Sequence, residues 1–340
     1  MLPKKVILGG VAGSDDARAM MLAMKWDAIA LIGVTTVNGN RIVPKTTENA
    51  LRVVQFMKAS VPVYRGCEEP IICNEIPGRK PGLPRVTLND CHGDFLPLPE
   101  AEIRTEKEHA VFYLVKTLME SEGDIYVAAV GPLTNLAMAL RIEPKIAGKI
   151  KQLVIMGGGH CGANASPAAE FNFYADPEAA KIVMDSAIPK VILPLDATWR
   201  ACLSEEKCKE LAQLGTPEAK VAAALVQKRI DNLKVNDVSE HNYALRHQAG
   251  TVAGAMLYRY DNHMAPIHDA LAIAYLINEN VVTELADANV DIDIAGGLCD
   301  GRMVADFHNT KKSKDPVTAK VALNSDAGLF TDMLFAALGK

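Results

Sequence analysis

Two adjacent carboxylates near the N-terminus, Asp15 and Asp16, are the residues whose position most suggests chemistry. They follow a short apolar run at residues 6–8 and a glycine-rich turn, and they open a stretch predicted to be helical at 15–24. Ligands of open α/β proteins bind outside the carboxyl ends of the strands, where this turn would lie. Carboxylates there suit a cation or sugar hydroxyls better than a phosphate, which needs positive charge. Ser14 or Asp15 could equally serve only as the N-cap of the helix.

Polar residues follow the other buried apolar runs in the same way. Since the carboxyl ends of parallel strands meet at one edge of a sheet, these side chains should gather on one rim. Carboxylate and amide oxygens suit oxygen-preferring cations and hydroxyl groups, and no G-x-S-x-G motif offers a serine nucleophile. Each residue also has a structural interpretation: Asp269 and Thr134 as N-caps, Asp196 as a turn residue, Met156 as core and the histidines as ordinary loop residues. The candidates are Asn40, Thr134, Asn135, Met156, Asn164, Glu170 and Asn172, with His92 and His268 as possible acids.

The elements that must position these residues alternate between strand and helix from residue 6 to about residue 195. The run at 28–37 is almost continuously apolar, which is typical of a strand buried on both faces. The alternation predicts an α/β fold with an open, mostly parallel central sheet and helices on both faces. Later, 289–294 and 303–307 are predicted to be paired strands, and 330–338 a closing helix. No linker or repeat interrupts the chain, so we expect one domain over residues 1–340.

Composition narrows the class of protein. The chain has 340 residues, of which 49% are hydrophobic, so it can bury a large core. A net charge of -5 disfavours nucleic acid as a partner. No apolar run approaches the roughly 18–20 residues of a membrane span, and the apolar start is too short for a signal peptide. Seven scattered cysteines without zinc-type spacing predict reduced thiols and a cytoplasmic location.

A set of longer motifs carries a family resemblance. They are TTVNGN (35–40), HG (92–93), GPLTNLA (131–137), MGGG (156–159) continuing to AEFN (169–172), DPEAA (176–180) and IHDA (267–270). Together they resemble the inosine-uridine preferring nucleoside hydrolases over almost the whole chain. The resemblance implies a homodimer or homotetramer that hydrolyses the N-glycosidic bond of purine or pyrimidine ribonucleosides, as in nucleoside catabolism and purine salvage. It also implies a Ca²⁺ ion that holds the ribose hydroxyls and the attacking water.

The resemblance assigns roles to residues at matching positions. Asp16, Asp269 and the backbone carbonyl of Thr134 match metal ligands, and His268 matches the histidine that assists departure of the base. Met156 matches a position that lines the ribose pocket in the family, and Phe171 lies in the same motif. His92 falls where the family often has a histidine on the nucleobase side. The ribose contacts would be Asp15, Asn40, Asn164, Glu170 and Asn172.

The chain departs from the family at Gly9 and Val11, where the family has an Asp-x-Asp pair. The first aspartate is a metal ligand and the second deprotonates the water, so we expect weakened or absent Ca²⁺ binding and a rate loss of about 10²–10⁴-fold. Three interpretations stay open: an impaired hydrolase that uses Asp15 or a histidine as base, an inactive nucleoside-binding homologue, and an engineered active-site variant. A dinucleotide-binding oxidoreductase is disfavoured, because the glycine spacing is wrong and Asp15 would repel a pyrophosphate.

Overall fold

A computed structural model of the chain describes residues 2–76, 93–235, 263–308, 310 and 318–340. Its main sheet has nine strands within these ranges. They are β1 (Lys4–Gly10), β2 (Ile29–Thr36), β3 (Val63–Arg65), β4 (Ile125–Ala129), β5 (Ile150–Met156), β6 (Lys190–Leu193), β9 (Val282–Ile292), β10 (Met303–Asp306) and β11 (Ala319–Ser325). A separate antiparallel pair consists of β7 (Cys202–Ser204) and β8 (Met264–Pro266).

The strand order in the main sheet is β3-β2-β1-β4-β5-β6-β11-β9-β10. Strands β1 to β6 and β11 run parallel, whereas β9 is antiparallel to both of its neighbours. The order reverses at β1, which pairs with β2 on one side and β4 on the other. In open α/β sheets such a reversal opens the crevice in which ligands bind. The β1–β4 edge is therefore the expected place for a site.

Helices cover both faces of the sheet. Along β1 the side chains alternate, since Val6 and Leu8 belong to one buried apolar cluster and Ile7 to a second on the opposite face. The predicted α/β fold with a mostly parallel sheet is confirmed. The helices are α1 (Ser14–Lys25), α2 (Val43–Phe56), α3 (Ala110–Glu120), α4 (Thr134–Ile142), α5 (Phe171–Ala175), α6 (Pro177–Met184), α7 (Leu195–Thr198), α8 (Glu205–Gln213), α9 (Pro217–Val235), α10 (His268–Ile277) and α11 (Ala327–Leu338).

Some element boundaries differ from the sequence prediction. The sequence predicts a helix over residues 106–121, but helix α3 begins at Ala110, because the imidazole of His109 caps it by accepting the N–H of Val111. Strand β9 begins at Val282, seven residues earlier than expected, and β11 was not predicted. Residues 66–103 are rich in proline and glycine and predict a long loop, and part of this stretch lies outside the described residues.

The junction between β6 and β11 is short. It is formed by two residue pairs, Lys320 with Val191 and Val321 with Ile192, whereas β11 aligns six residues with β9.

Within the described ranges, no helix is long and apolar enough to cross a bilayer. The single-domain organisation stays a prediction.

Candidate active site

The turn between β1 and α1 forms the floor of the site. The carboxylate of Asp16 accepts hydrogen bonds from the backbone N–H groups of Val11 and Gly13, each at 2.9 Å. The N-cap of α1 is Gly13, so the prediction that Ser14 or Asp15 caps this helix is wrong, and Asp16 bonds back to the cap instead. Gly10 is required here, because a Cβ at this position would overlap Asp16 Oδ1.

Asp269 reaches the same floor from α10. It is the second residue of that helix, whose N-cap is Ile267, so the N-cap interpretation of Asp269 is also wrong. The carboxyl group of Asp269 faces that of Asp16, and this proximity favours a proton on Asp269. Burial, followed by the charges of Asp16 and Asp15, raises the pKa of Asp269 well above its usual range.

Asp15 is held between two arginines. Arg18, one helical turn further along α1, bonds Asp15 Oδ1, and Nη1 of Arg229 from α9 lies 2.5 Å from Asp15 Oδ2. Arg18 is fully buried, and its Nε and Nη1 groups have no hydrogen-bond partner among the residues that the structure describes. Burial lowers the pKa of Arg18, opposed by the attraction of Asp15. The sequence analysis identified neither arginine. Arg18 could have been noticed as the charged residue within the otherwise apolar stretch 17–23 of α1. Arg229 lies 214 residues from Asp15, and its position in the sequence gave no signal of the contact.

The two positions that lack aspartate have no oxygen in their side chains. Val11 is buried, and its Cγ1 lies against Gly39, where a Cβ would overlap it. A Cβ on Gly131 would lie 3.2 Å from the same methyl group. A Cβ on Gly9 would lie 3.1 Å from Thr35 Oγ1, so the space beside Gly9 is narrow. Val11 thus makes this part of the floor apolar.

Thr134 stands at the first turn after β4. It is the first residue of α4, and its hydroxyl donates to Oδ2 of Asp176 at 2.6 Å. Thr134 is therefore not the N-cap of α4, whereas Asp176 caps α6 as predicted by accepting the N–H of Ala179. The bond links the β4 and β5 sides of the rim.

The loop after β5 is organised by Glu170. Its carboxylate accepts the N–H groups of Gly158 and Asn172 at 2.8 and 2.9 Å and caps α5. Burial raises the pKa of Glu170 to about 7, even though these N–H groups favour the ionised form. The Asn172 amide donates to the carbonyl of Met156 at 3.0 Å. Asn164 Oδ1 accepts the N–H of Phe171 at 2.8 Å, so the loop closes on itself.

His268 lies beside this floor as the first residue of α10 and is buried. Its Nδ1 is 2.8 Å from the hydroxyl of Thr198, a fully buried residue that sequence analysis did not single out. Asn40 is half-buried next to Gly39, on the β2 side. The other predicted acid, His92, lies outside the described residues. The carboxylates of Asp15, Asp16 and Asp269 thus converge directly, and Glu170, Asn172 and Met156 line the adjoining edge.

The residues assigned to Ca²⁺ do not fit that ion. Ca²⁺ takes about six to eight oxygen ligands. Both oxygens of Asp16 already accept backbone N–H groups, and Val11 and Gly9 supply no oxygen. In the described part of the chain, no group of three or more His, Cys, Asp or Glu residues is arranged to hold a metal ion.

Comparison with known proteins assigns the family. The open sheet, with polar side chains where its strand order reverses, has the architecture of an α/β ligand-binding protein. The family model of the inosine-uridine preferring nucleoside hydrolases matches residues 10–332. The chain belongs to this family of N-glycosidases. It is 34% identical over 337 residues to the pyrimidine-specific ribonucleoside hydrolase RihB of Shigella flexneri, with 97% of this chain and 95% of that protein covered. The same values hold for RihB of Escherichia coli O157:H7.

Solved structures agree on the fold. A plant nucleoside hydrolase, PpNRh1, superposes with a TM-score of 0.81 at 25% identity, over 99% of both chains. A purine-preferring ribonucleoside hydrolase from Gardnerella vaginalis gives a TM-score of 0.80 at 24% identity, over 99% of this chain and 98% of that one. The α/β architecture of this chain is that of the nucleoside hydrolases.

Proposed function

We propose that this chain binds a ribonucleoside at the rim beside β1 and hydrolyses its N-glycosidic bond slowly. The observation that carries the proposal is the convergence of Asp15, Asp16 and Asp269 at the point where the strand order reverses. Carboxylate and amide oxygens at such a rim are suited to accept hydrogen bonds from ribose hydroxyls. Asp15, Asn40, Asn164, Glu170 and Asn172 are the proposed ribose contacts, with Met156 and Phe171 beside them.

His268 is the proposed acid. Hydrolysis adds water to the anomeric carbon and requires a proton on the departing base. The Thr198 hydroxyl engages Nδ1 and so fixes the ring. Nε2 is then the nitrogen from which a proton would reach the base.

The site has no aspartate at position 11 to act as the general base that activates the water. Val11 cannot accept a proton, and loss of a positioned general base costs about 10²–10⁴-fold in rate. Asp15 is the proposed substitute, but both of its carboxylate oxygens are already engaged by arginines. We therefore expect turnover far below that of a variant with aspartate at position 11.

One observation favours a second function, ribonucleoside binding without hydrolysis. The Cγ1 methyl group of Val11 lies against both Gly39 and Gly131, so this part of the floor offers no polar partner to a water. A protein of this kind would keep the ribose contacts and lose the chemistry.

The base of the substrate is proposed to be a pyrimidine. The support is that the relatives of 34% identity are pyrimidine-specific ribonucleoside hydrolases, whereas the purine-preferring structure is less similar, at 24% identity. The homodimer or homotetramer and the cytoplasmic location stay predictions.

Free ribose released from uridine, cytidine, inosine and guanosine tests the proposal. We expect slow release by the wild-type chain, and faster release with added Ca²⁺ by a Gly9→Asp, Val11→Asp double variant. Gly9→Asp with Val11→Asn is the matched control, because it restores the side-chain shape at position 11 without a base. Binding of uridine to a wild type that releases no ribose would favour the second function. Failure of the double variant to bind or cleave any nucleoside would refute both.

A further inference from the structure

We infer that Arg229, supported by Arg18, supplies the positive charge of this site in place of a divalent metal ion. The inference rests on the proposed function for its ligand, a ribonucleoside. Its consequence is that the ligand binds without Ca²⁺.

The geometry around Asp15 is the first step. One carboxylate oxygen bonds Arg18 and the other lies 2.5 Å from Nη1 of Arg229, so each oxygen faces a guanidinium group. Hydrogen bonds between charged groups are short and about twice as strong as neutral ones. An ion that approached Asp15 would have to displace one of the two arginines.

The charge of the cluster is the second step. Asp15, Asp16 and Asp269 contribute three carboxyl groups, and Arg18 and Arg229 contribute two guanidinium groups. Even if all five were ionised, a single net negative charge would remain. Aspartates at positions 9 and 11 would add two more negative charges, which is the condition under which a divalent cation is needed.

The exposure of the two arginines is the third step, and it separates their roles. Arg18 is fully buried and bonds Asp15 from the core, whereas the side chain of Arg229 is 16% exposed. Arg229 is therefore the cation that a ligand can reach. A guanidinium donates hydrogen bonds and a carboxylate accepts them, so Arg229 with Asp15 matches neighbouring ribose hydroxyls, each of which both donates and accepts.

Titration of wild-type protein with CaCl₂ after dialysis against EDTA tests the metal part directly. We expect no binding heat up to about 10⁻³ M, the weak end of the range of protein Ca²⁺ sites. A tighter dissociation constant, or stoichiometric calcium in the purified protein by mass spectrometry, would overturn the inference. This measurement needs no nucleoside, so it decides the metal question even if the proposed function fails.

Nucleoside affinity tests the role of Arg229. For the wild type we expect the same dissociation constant for uridine or inosine, within about twofold, in EDTA and in Ca²⁺. Arg229→Met should weaken binding by about tenfold or more, which corresponds to one lost strong hydrogen bond. Lys220→Met, an exposed cation on the same helix, is the control and should stay within about twofold.

The outcomes are distinguishable. Undiminished binding by Arg229→Met, or wild-type binding that appears only with Ca²⁺, overturns the inference. Absence of nucleoside binding by the wild type in both buffers refutes the proposed function instead. If Arg229→Met does not fold, the wild-type comparison of EDTA with Ca²⁺ still gives the result.

Discussion

Replacing Arg18 by Met should leave the free energy of unfolding within about 1 kcal/mol of wild type or raise it, although the residue lies in the core. Burial is the largest influence on the pKa of Arg18 and lowers it, so attraction to Asp15 does not fully offset the loss of hydration. Nε and Nη1 are buried without partners, and each unsatisfied group costs about 1–3 kcal/mol. Methionine removes these costs and keeps much of the side-chain volume.

Asp15→Asn should have the opposite effect. It removes the carboxylate that lies between the two guanidinium groups and leaves Arg18 buried without its counter-charge. Breaking a buried ion pair from one side costs about 3–5 kcal/mol. Because the Arg229 side chain is 16% exposed and partly hydrated, the lower half of that range is expected.

Urea unfolding followed by the fluorescence of Trp26 and Trp199 would measure both effects. The double variant of Arg18→Met and Asp15→Asn should be more stable than Asp15→Asn alone, because the unpaired buried cation is gone. Arg200→Met, at an exposed position, is the control and should change stability by less than about 1 kcal/mol. A loss of 3 kcal/mol or more for Arg18→Met, together with a smaller loss for Asp15→Asn, would refute this account of the cluster.

Three further changes test other parts of the structure. The pKa of Glu170 is about 7 in the folded protein against an ordinary value of 4.5, so the folded state binds the proton more tightly than the unfolded state. The free energy of unfolding should therefore fall by up to about 3 kcal/mol as pH rises from 4.5 to 7. Urea titrations at each pH should show this loss for the wild type and not for Glu170→Gln. Thr198→Val removes the hydrogen bond to the buried histidine of α10 and should cost about 1–3 kcal/mol by the same assay; an unchanged midpoint would contradict it. Gly33→Ala places a Cβ against the hydroxyl and ring of Tyr113 and should lower the free energy of unfolding by about 1–3 kcal/mol. Gly148→Ala is the control, because its Cβ would meet no atom of the described residues within 4 Å. Equal melting temperatures of the two variants would argue against this packing.

The parallel half of the sheet could be predicted from the sequence because its strands are buried on both faces. Most of β2 and the second half of β5, residues 153–156, are apolar runs, and a turn that contains glycine follows each strand. Strand β9 is different: its first half is largely exposed and carries polar residues, so only its buried end at 288–292 gave a pattern. Strand β11 has a lysine and an asparagine among its apolar residues, so it lacks the continuous apolar run that marks the parallel strands.

The candidate site was predictable only where its residues follow the strands. Asp16 and Glu170 were found because Asp16 follows the turn after β1 and Glu170 lies in the long loop after β5, at the edge where ligands bind. Part of their bonding is local helix capping, since Asp16 bonds back to the N-cap Gly13 and Glu170 caps α5. The bond from the N–H of Gly158 to Glu170 depends instead on how the loop folds. Arg229 reaches Asp15 from a helix 214 residues away in sequence, and that contact depends on tertiary packing alone.

The two-pair junction between β6 and β11 has a consequence for local unfolding. Proteins open in cooperative units whose boundaries follow weak contacts. β9, β10 and β11 are joined to one another by longer ladders than the one that joins them to β6, and Lys190 supplements that joint by donating to the carbonyl of Thr318 at 3.3 Å. Amide protons of these three strands should therefore exchange with solvent together, and earlier than those of β1 and β4. The edge of the sheet could then open and close again while the cluster around Asp15 stays folded.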